Sequence, residues 1–335
     1  MRALLASALL TLAAAAAAAP ASVDLSEQLT PGLRDQGGTA SCHAFASVAL
    51  LEAAIKRRGQ GEQWLSSADL FVRVALKNGA YQILFLSDGN MTVTQKEDGK
   101  PDEDIEFALE NGVAHGELVP WGVFHEKYAA YLKKRAAECG RLSREAKGKS
   151  CRFDSFKEYV ERLEKDVDKR EKEFIGASDK LVKDRAEVKA KLKGLSLHSK
   201  RRGTLRSFDD ASLADIKDAD VCREKGRKQT EALVETLAAG LPAVICFNMD
   251  NVPGWDKDTD KKSKSSHCVT AYGYTTAGEG KKARKSFQVR NSWGGVVFQA
   301  PAVNGVPQPP QVCPNTHDID EDHACAIHGM HWLEP

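Results

Sequence analysis

Apolar residues at Ala44, Val48, Leu51 and Ile55 recur at helical spacing and predict an amphipathic helix that starts at or beside Cys42. Ser41 is placed to cap its first turn, and Arg57-Arg58-Gly59 puts basic residues and a glycine where it should end. Far downstream the pattern becomes extended. Residues 265–274 are rich in β-branched and aromatic side chains, and residues 286–294 alternate through Phe287 and Val289 before reaching Asn291. With the Gly/Lys-rich stretch 277–285 as the turn, the two read as a hairpin that sets His267 and Asn291 side by side. Between these regions a third pattern runs every seventh residue, through Phe153, Val160, Val167, Phe174, Leu181, Val188 and Leu195. A seven-residue repeat argues for long helices that pair. Its second seam is poor beyond Phe156 and Leu163, with Arg170 and Asp184 in it, so a helical hairpin bent near Gly176 or Gly194 is expected rather than a long coiled coil.

A cysteine at a helix start meets unpaired backbone N–H groups and the positive end of the helix dipole, which favour a thiolate. A histidine beside it supplies the proton acceptor, and imidazolium next to thiolate lowers the cysteine pKa well below its free value of about 8.5. Cys42 is therefore expected to be ionised at neutral pH. The amide of Asn291 cannot take a proton and can only orient the ring.

In this order, Gln36-Gly37-Gly38-Thr39-Ala40-Ser41-Cys42-His43-Ala44-Phe45, then His267-Cys268-Val269 leading to Gly273-Tyr274, then Asn291-Ser292-Trp293-Gly294, the chain resembles the papain-like cysteine peptidases. The resemblance extends to residues 65–70, to 102–121, and to 232–249, where a helix leads through Gly240-Leu241-Pro242 into a buried strand. It implies an α+β papain-like two-lobed fold, a helical lobe carrying Cys42 and a β-rich lobe carrying His267 and Asn291. By that likeness Cys42 is the nucleophile, His267 its general base and later acid, Asn291 the orienter of His267, and Gln36 the side-chain donor of the oxyanion hole. Trp293 would shield the His–Asn bond. Losing one oxyanion donor costs on the order of 3 kcal/mol of transition-state stabilisation.

Departures from the family are informative. The upstream disulfide cysteine is absent, and the aromatic after the nucleophile is His43, which reads as a packing or hydrogen-bonding residue ahead of a second base. The Gly-rich strand after Asn-Ser-Trp-Gly is replaced by a proline-rich tail. His267 lies 225 residues after Cys42, against about 130–150 in the family, so one insertion is implied. The resulting division is 1–21 as signal peptide, 22–127 and 229–335 as the catalytic domain, and 128–228 as a charged helical insertion. That insertion is either a solvated excursion packing one stripe on itself or on the core, or an element that gates the cleft or docks a protein partner.

The 335 residues, 42% hydrophobic, suffice for a catalytic core and one extra module. Leu4 to Ala19 after Met1-Arg2 reads as a short secretory signal with Ala19-Pro20-Ala21 as a small-residue cleavage site, so a secreted or periplasmic protein without a membrane anchor after cleavage is expected. Export favours disulfides among the eight cysteines. The expected pairs are Cys139–Cys151 and Cys313–Cys325, with Cys246 and Cys268 as buried core thiols. Residues 256–260 begin like a calcium loop, but Lys261 and His267 stand where glycine and glutamate are required, so a polar loop is expected. His317, Asp318, Asp320, Glu321, Asp322, His323, Cys325, His328 and His331 show no metal-ligand spacing and read as a solvated loop tethered by a disulfide. With 48 basic and 47 acidic residues and no aromatics among the basic runs, nucleic acid is not an expected partner. The expectation is a cysteine peptidase that needs no cofactor or metal and acts on peptide or protein. Two alternatives stay open: a catalytically idle papain-fold binding protein, and another thiol-dependent amide hydrolase or acyltransferase.

Overall fold

The structure is a computed structural model that describes residues 19–32, 34–36, 39, 41–77, 81–85, 91–95, 99–127, 130, 171–172, 175–201, 219–248, 266–280, 283–293, 297–298, 311–312, 316–320 and 326–335. The N-terminal apolar run to residue 18, the stripe from Phe153 to Phe174, Cys139, Cys151, Cys313, Cys325 and the acidic loop at 256–260 lie outside them.

The chain enters through a short strand β1 (Ser22–Asp24) and reaches helix α1 (Cys42–Arg57). Every α1 residue from Cys42 to Ile55 is buried, so the predicted amphipathic helix is in fact covered on all sides. A helix buried all round must pair its polar members. Glu52 takes the Arg34 guanidinium and the Leu65 N–H, each at 2.5 Å. Helix α2 (Ser67–Lys77), the hairpin β2 (Tyr81–Phe85) and β3 (Met91–Gln95), and helix α3 (Pro101–Asn111) follow. Proline at the first turn of α3, with Asp102, Glu103 and Asp104 beside it, suits the positive end of a helix.

Helix α4 (Asp179–Leu192) and strand β4 (Ser196–Arg201) come next, then helix α5 (Ala219–Ala238) and strand β5 (Ala243–Asn248). Strands β6 (Ser266–Ala277) and β7 (Arg284–Arg290) form the expected hairpin. The short pair β8 (Val297–Phe298) and β9 (Gln311–Val312) precedes β10 (Thr316–Asp320) and β11 (Ile327–Glu334). The main sheet runs β10-β7-β6-β5-β11-β4, all antiparallel, and β1 pairs with the part of β6 that outlasts β5. One face, through Val244, Cys246, Cys268 and Leu333, packs on α1 and the helical half. The opposite face, through Ile245, Phe247, Val269, Phe287, Val289 and Met330, packs on Leu233, Val234 and Leu237 of α5. The apolar run of β5 is thus buried on both sides. This is an α+β arrangement with a helical half and a sheet half.

The stretch 128–228, expected to be a charged helical insertion, contains the strand β4. Leu195 and Leu197 pack into the same core as α1, and β4 pairs along β11, because the chain after Gly194 resumes an extended, alternating pattern. The heptad members Leu181, Val188 and Leu195 are all buried, and Val188 and Leu195 share a cluster with Leu51, Ile55 and Ile105. Their stripe therefore faces the body of the protein. The chain does turn at Gly176 and Gly194, with φ of +82° and +84°. Polar contacts fix the same docking: Arg185 reaches Asp69 at 2.5 Å and Asp184 receives both the His115 ring and its backbone N–H. At Gly112 a Cβ would stand 2.0 Å from the Arg185 carbonyl oxygen, so the approach of α4 requires glycine there.

Two further expectations are corrected. Cys246 and Cys268 are not free core thiols; they are joined by a disulfide between directly opposed positions of β5 and β6. Antiparallel register brings such a pair within bonding reach, whereas their 22-residue separation alone does not. Cys222 is also disulfide-bonded. The acidic tail is not merely a solvated loop: β10 and β11 are strands of the main sheet, His331 is buried, and His328 pairs with Ser266. Among the described residues no three His, Cys, Asp or Glu side chains converge as a metal site, and no helix is long and apolar enough to cross a membrane.

Candidate active site

Helix α1 delivers Cys42 at its first residue, with Ser41 at the cap position. The Ser41 hydroxyl makes no cap bond; it pairs with Thr39 Oγ1 at 2.6 Å, and the Ser41 carbonyl accepts from Ala44 and Phe45 N–H. The Cys42 thiol is 8% exposed and meets the backbone N–H groups of Cys268 and His43. Cys268 directly follows His267 on β6, so packing of α1 on the sheet is what brings the two motifs together across the sequence.

Burial pushes the Cys42 thiol from its ordinary 9.0 up to about 11; the N–H groups of Cys268 and His43 oppose this, and the Asp104 charge adds to it. The thiolate expected at neutral pH is therefore opposed by desolvation. Folding stability should then be level below about pH 9 and fall between about pH 9 and 11, where the unfolded thiol has lost its proton and the folded one has not. Urea unfolding of wild type and Cys42→Ala across pH 8 to 11 should show a steeper fall in wild type, since Tyr274, also pushed up by burial, contributes in both proteins. Parallel curves for the two proteins would mean that Cys42 is solvated.

His267 is buried and its Nε2 lies 2.7 Å from Asn291 Oδ1. The Ser292 N–H donates to the same Oδ1 at 2.8 Å, so an oxygen must stand at that position. An oxygen can only accept; hence His267 Nε2 carries the hydrogen and Nδ1 holds the lone pair of the neutral ring. Trp293 covers the ring with centroids 4.6 Å apart, and Phe247 meets it edge-on at 6.0 Å.

Gln36 belongs to a loop stitched to this strand end. Its N–H donates to the Ser292 carbonyl, and Asp35 bridges to Trp293. The side chain is fixed at both atoms: Nε2 donates to the Thr39 carbonyl at 2.6 Å and Oε1 accepts from Ser292 Oγ at 2.5 Å. An amide nitrogen carries two hydrogens, so one remains for another acceptor. Behind the loop, Arg34 lies 4.1 Å above the Trp64 ring and pairs with Glu52 of α1.

Sequence reasoning gave His43 a packing or hydrogen-bonding role but missed its partner. His43 Nδ1 lies 2.6 Å from Asp104 Oδ2, both side chains buried. Asp104 is 61 residues away, in the acidic first turn of α3. No local signal marks it.

No protein-family model matches the chain, and no curated protein matches it. Solved structures similar to it include digestive procathepsin L 3 of Tenebrio molitor larval midgut, at 14% identity and TM-score 0.46 over 96% of this chain and 72% of that one. Another is xylellain, a cysteine protease from Xylella fastidiosa, at 16% identity and TM-score 0.47 over 95% and 87%. A third is the Carica candamarcensis cysteine protease CMS1MS2 in complex with E-64, at 15% identity and TM-score 0.43 over 94% and 98%.

Proposed function

We propose that this chain is an exported papain-like cysteine peptidase that cleaves peptide bonds through Cys42, His267 and Asn291, with Gln36 as an oxyanion donor. The observation that carries the reading is the His267–Asn291 bond, whose polarity the Ser292 N–H fixes, beside a thiol that touches the next residue of the same strand. A binding protein has no need of an imidazole held in one tautomer on a strand whose next N–H meets a thiol. Because burial opposes the charged sulfur, the first step is transfer of the thiol proton to His267 Nδ1 as the sulfur attacks the scissile carbonyl carbon. The carbonyl oxygen takes the electron pair and is met by the Cys42 N–H and the second hydrogen of Gln36 Nε2. His267 then gives its proton to the leaving amine, and water activated by the same ring releases the acyl group from sulfur. Asn291 stabilises the imidazolium by orientation alone, and the Trp293 ring limits water at that bond.

The deciding experiment treats the protein with an epoxysuccinyl peptide and locates the adduct by mass spectrometry. One adduct, on Cys42, with parallel loss of casein or peptide hydrolysis, is expected. Hydrolysis that persists after complete Cys42 modification, or no adduct at all, would overturn the reading.

A further inference from the structure

Next to the nucleophile lies a second pair of buried ionisable groups that the steps above do not use. The His43 and Asp104 side chains are 5% and 0% exposed and bonded at 2.6 Å. Ser47 Oγ donates to the same carboxylate oxygen at 3.3 Å, while the other, Asp104 Oδ1, is buried with no hydrogen-bond partner among the described residues. A half-satisfied buried carboxylate is a poor device for stability alone. The ring it holds is packed tightly. Phe71 lies at 5.9 Å, and a Cβ on Gly99 would fall 2.2 Å from His43 Cε1 and 2.6 Å from Nε2, so the Gly99 backbone rests on the imidazole. The backbone N–H of this same His43 meets the Cys42 sulfur, and the Asp104 charge reaches that sulfur too.

We propose that His43 and Asp104 are a positioning couple for the nucleophile: Asp104 clamps the His43 ring, and the clamped ring holds both the peptide N–H that meets the Cys42 sulfur and the Gly99 backbone beside it. The inference rests on Cys42 being the nucleophile of the proposed peptidase. The couple also carries charge. A neutral His43 leaves the Asp104 carboxylate working against a thiolate on Cys42, and an imidazolium there cancels it. The titratable groups acting on the sulfur are Asp104 from α3, through its charge, and His43 beside it on its own helix; Lys100 and Glu103 pair with each other at 2.7 Å on the exposed edge of α3.

Asp104→Asn and His43→Gln in the full chain test this through two readouts: the pH profile of Cys42 alkylation by iodoacetamide, and kcat on a peptide substrate per epoxide-titrated site. Asp104→Asn should alkylate at least about threefold faster at pH 8, with its profile displaced to lower pH, yet lose at least about tenfold in kcat because the clamp is gone. His43→Gln should lose kcat similarly without that displacement, since the Asp104 charge stays. A role confined to packing would lower stability and leave the alkylation profile in place. Superimposed profiles with kcat within about twofold of wild type overturn the couple while the peptidase reading stands. A wild-type protein that hydrolyses no peptide and takes no epoxide on Cys42 overturns the peptidase reading itself. Should Asp104→Asn fail to fold, His43→Gln decides alone: unchanged kcat refutes the couple.

Discussion

Cys42→Ala should abolish amide hydrolysis, with kcat falling to background, a loss on the order of a millionfold where the wild-type rate permits the measurement. The sulfur supplies the bond-making electron pair and meets the Cys268 and His43 N–H groups. Asn291→Ala should behave differently. It removes the oxygen that accepts from His267 Nε2 and from the Ser292 N–H, so the ring loses its tautomer and aim while the sulfur and base remain. Misplacing a catalytic group by about an ångström costs on the order of a hundredfold, and that partial loss is the expected result. Steady-state kinetics on a fluorogenic peptide, normalised to folded protein, separates the two. Retention of wild-type kcat by purified Cys42→Ala would refute the nucleophile assignment, and wild-type kcat in Asn291→Ala would refute the orienting role.

The largest stability effect is expected at Arg34. Its side chain, 5% exposed, meets Glu52 at 2.5 Å and donates to the Leu65 carbonyl while stacking on Trp64. Burial pushes the Glu52 carboxyl up, and the Arg34 charge and the Leu65 N–H hold it down. Arg34→Met strips the bonded counter-charge and leaves Glu52 inside α1 with the Leu65 N–H and the unbonded Arg290 charge, which should cost about 3–5 kcal/mol at pH 7. The sign of the pH dependence follows from the raised carboxyl. Above the unfolded value of 4.5 the variant must either bury a charge or hold a proton that the unfolded chain has released, so the deficit grows with pH. Below that value both states are protonated, and only the lost hydrogen bonds and ring contact remain. Urea unfolding at pH 4 and pH 7 should show a clearly smaller deficit at pH 4; an equal deficit at both would mean that Glu52 carries no charge in the native protein.

Much of the candidate site's geometry was legible because it is locally encoded. The 3.6-residue spacing from Ala44 to Ile55 marked the helix that begins at Cys42, and the alternation through Phe287 and Val289 with a Gly/Lys-rich turn marked the hairpin on which His267 and Asn291 meet. Gly176 and Gly194 marked the chain breaks because their positive φ suits no other residue as well. Periodicity and punctuation of this kind are properties of neighbouring residues, and a sequence states them directly. Tertiary structure alone decided the rest. The seven-residue stripe ending at Leu195 specifies only that one face is buried; packing against Leu51 and Ile105 decided that the body of the protein, not a partner helix, covers Val188 and Leu195. Register between β5 and β6 decided that Cys246 bonds Cys268, and the crossing of α1 with α3 decided that Asp104 holds His43. Enclosure decided that burial works against a thiolate on Cys42, because a helix start favours a thiolate only as far as the surroundings let charge be solvated, and no spacing of residues reveals how much water is left around a sulfur.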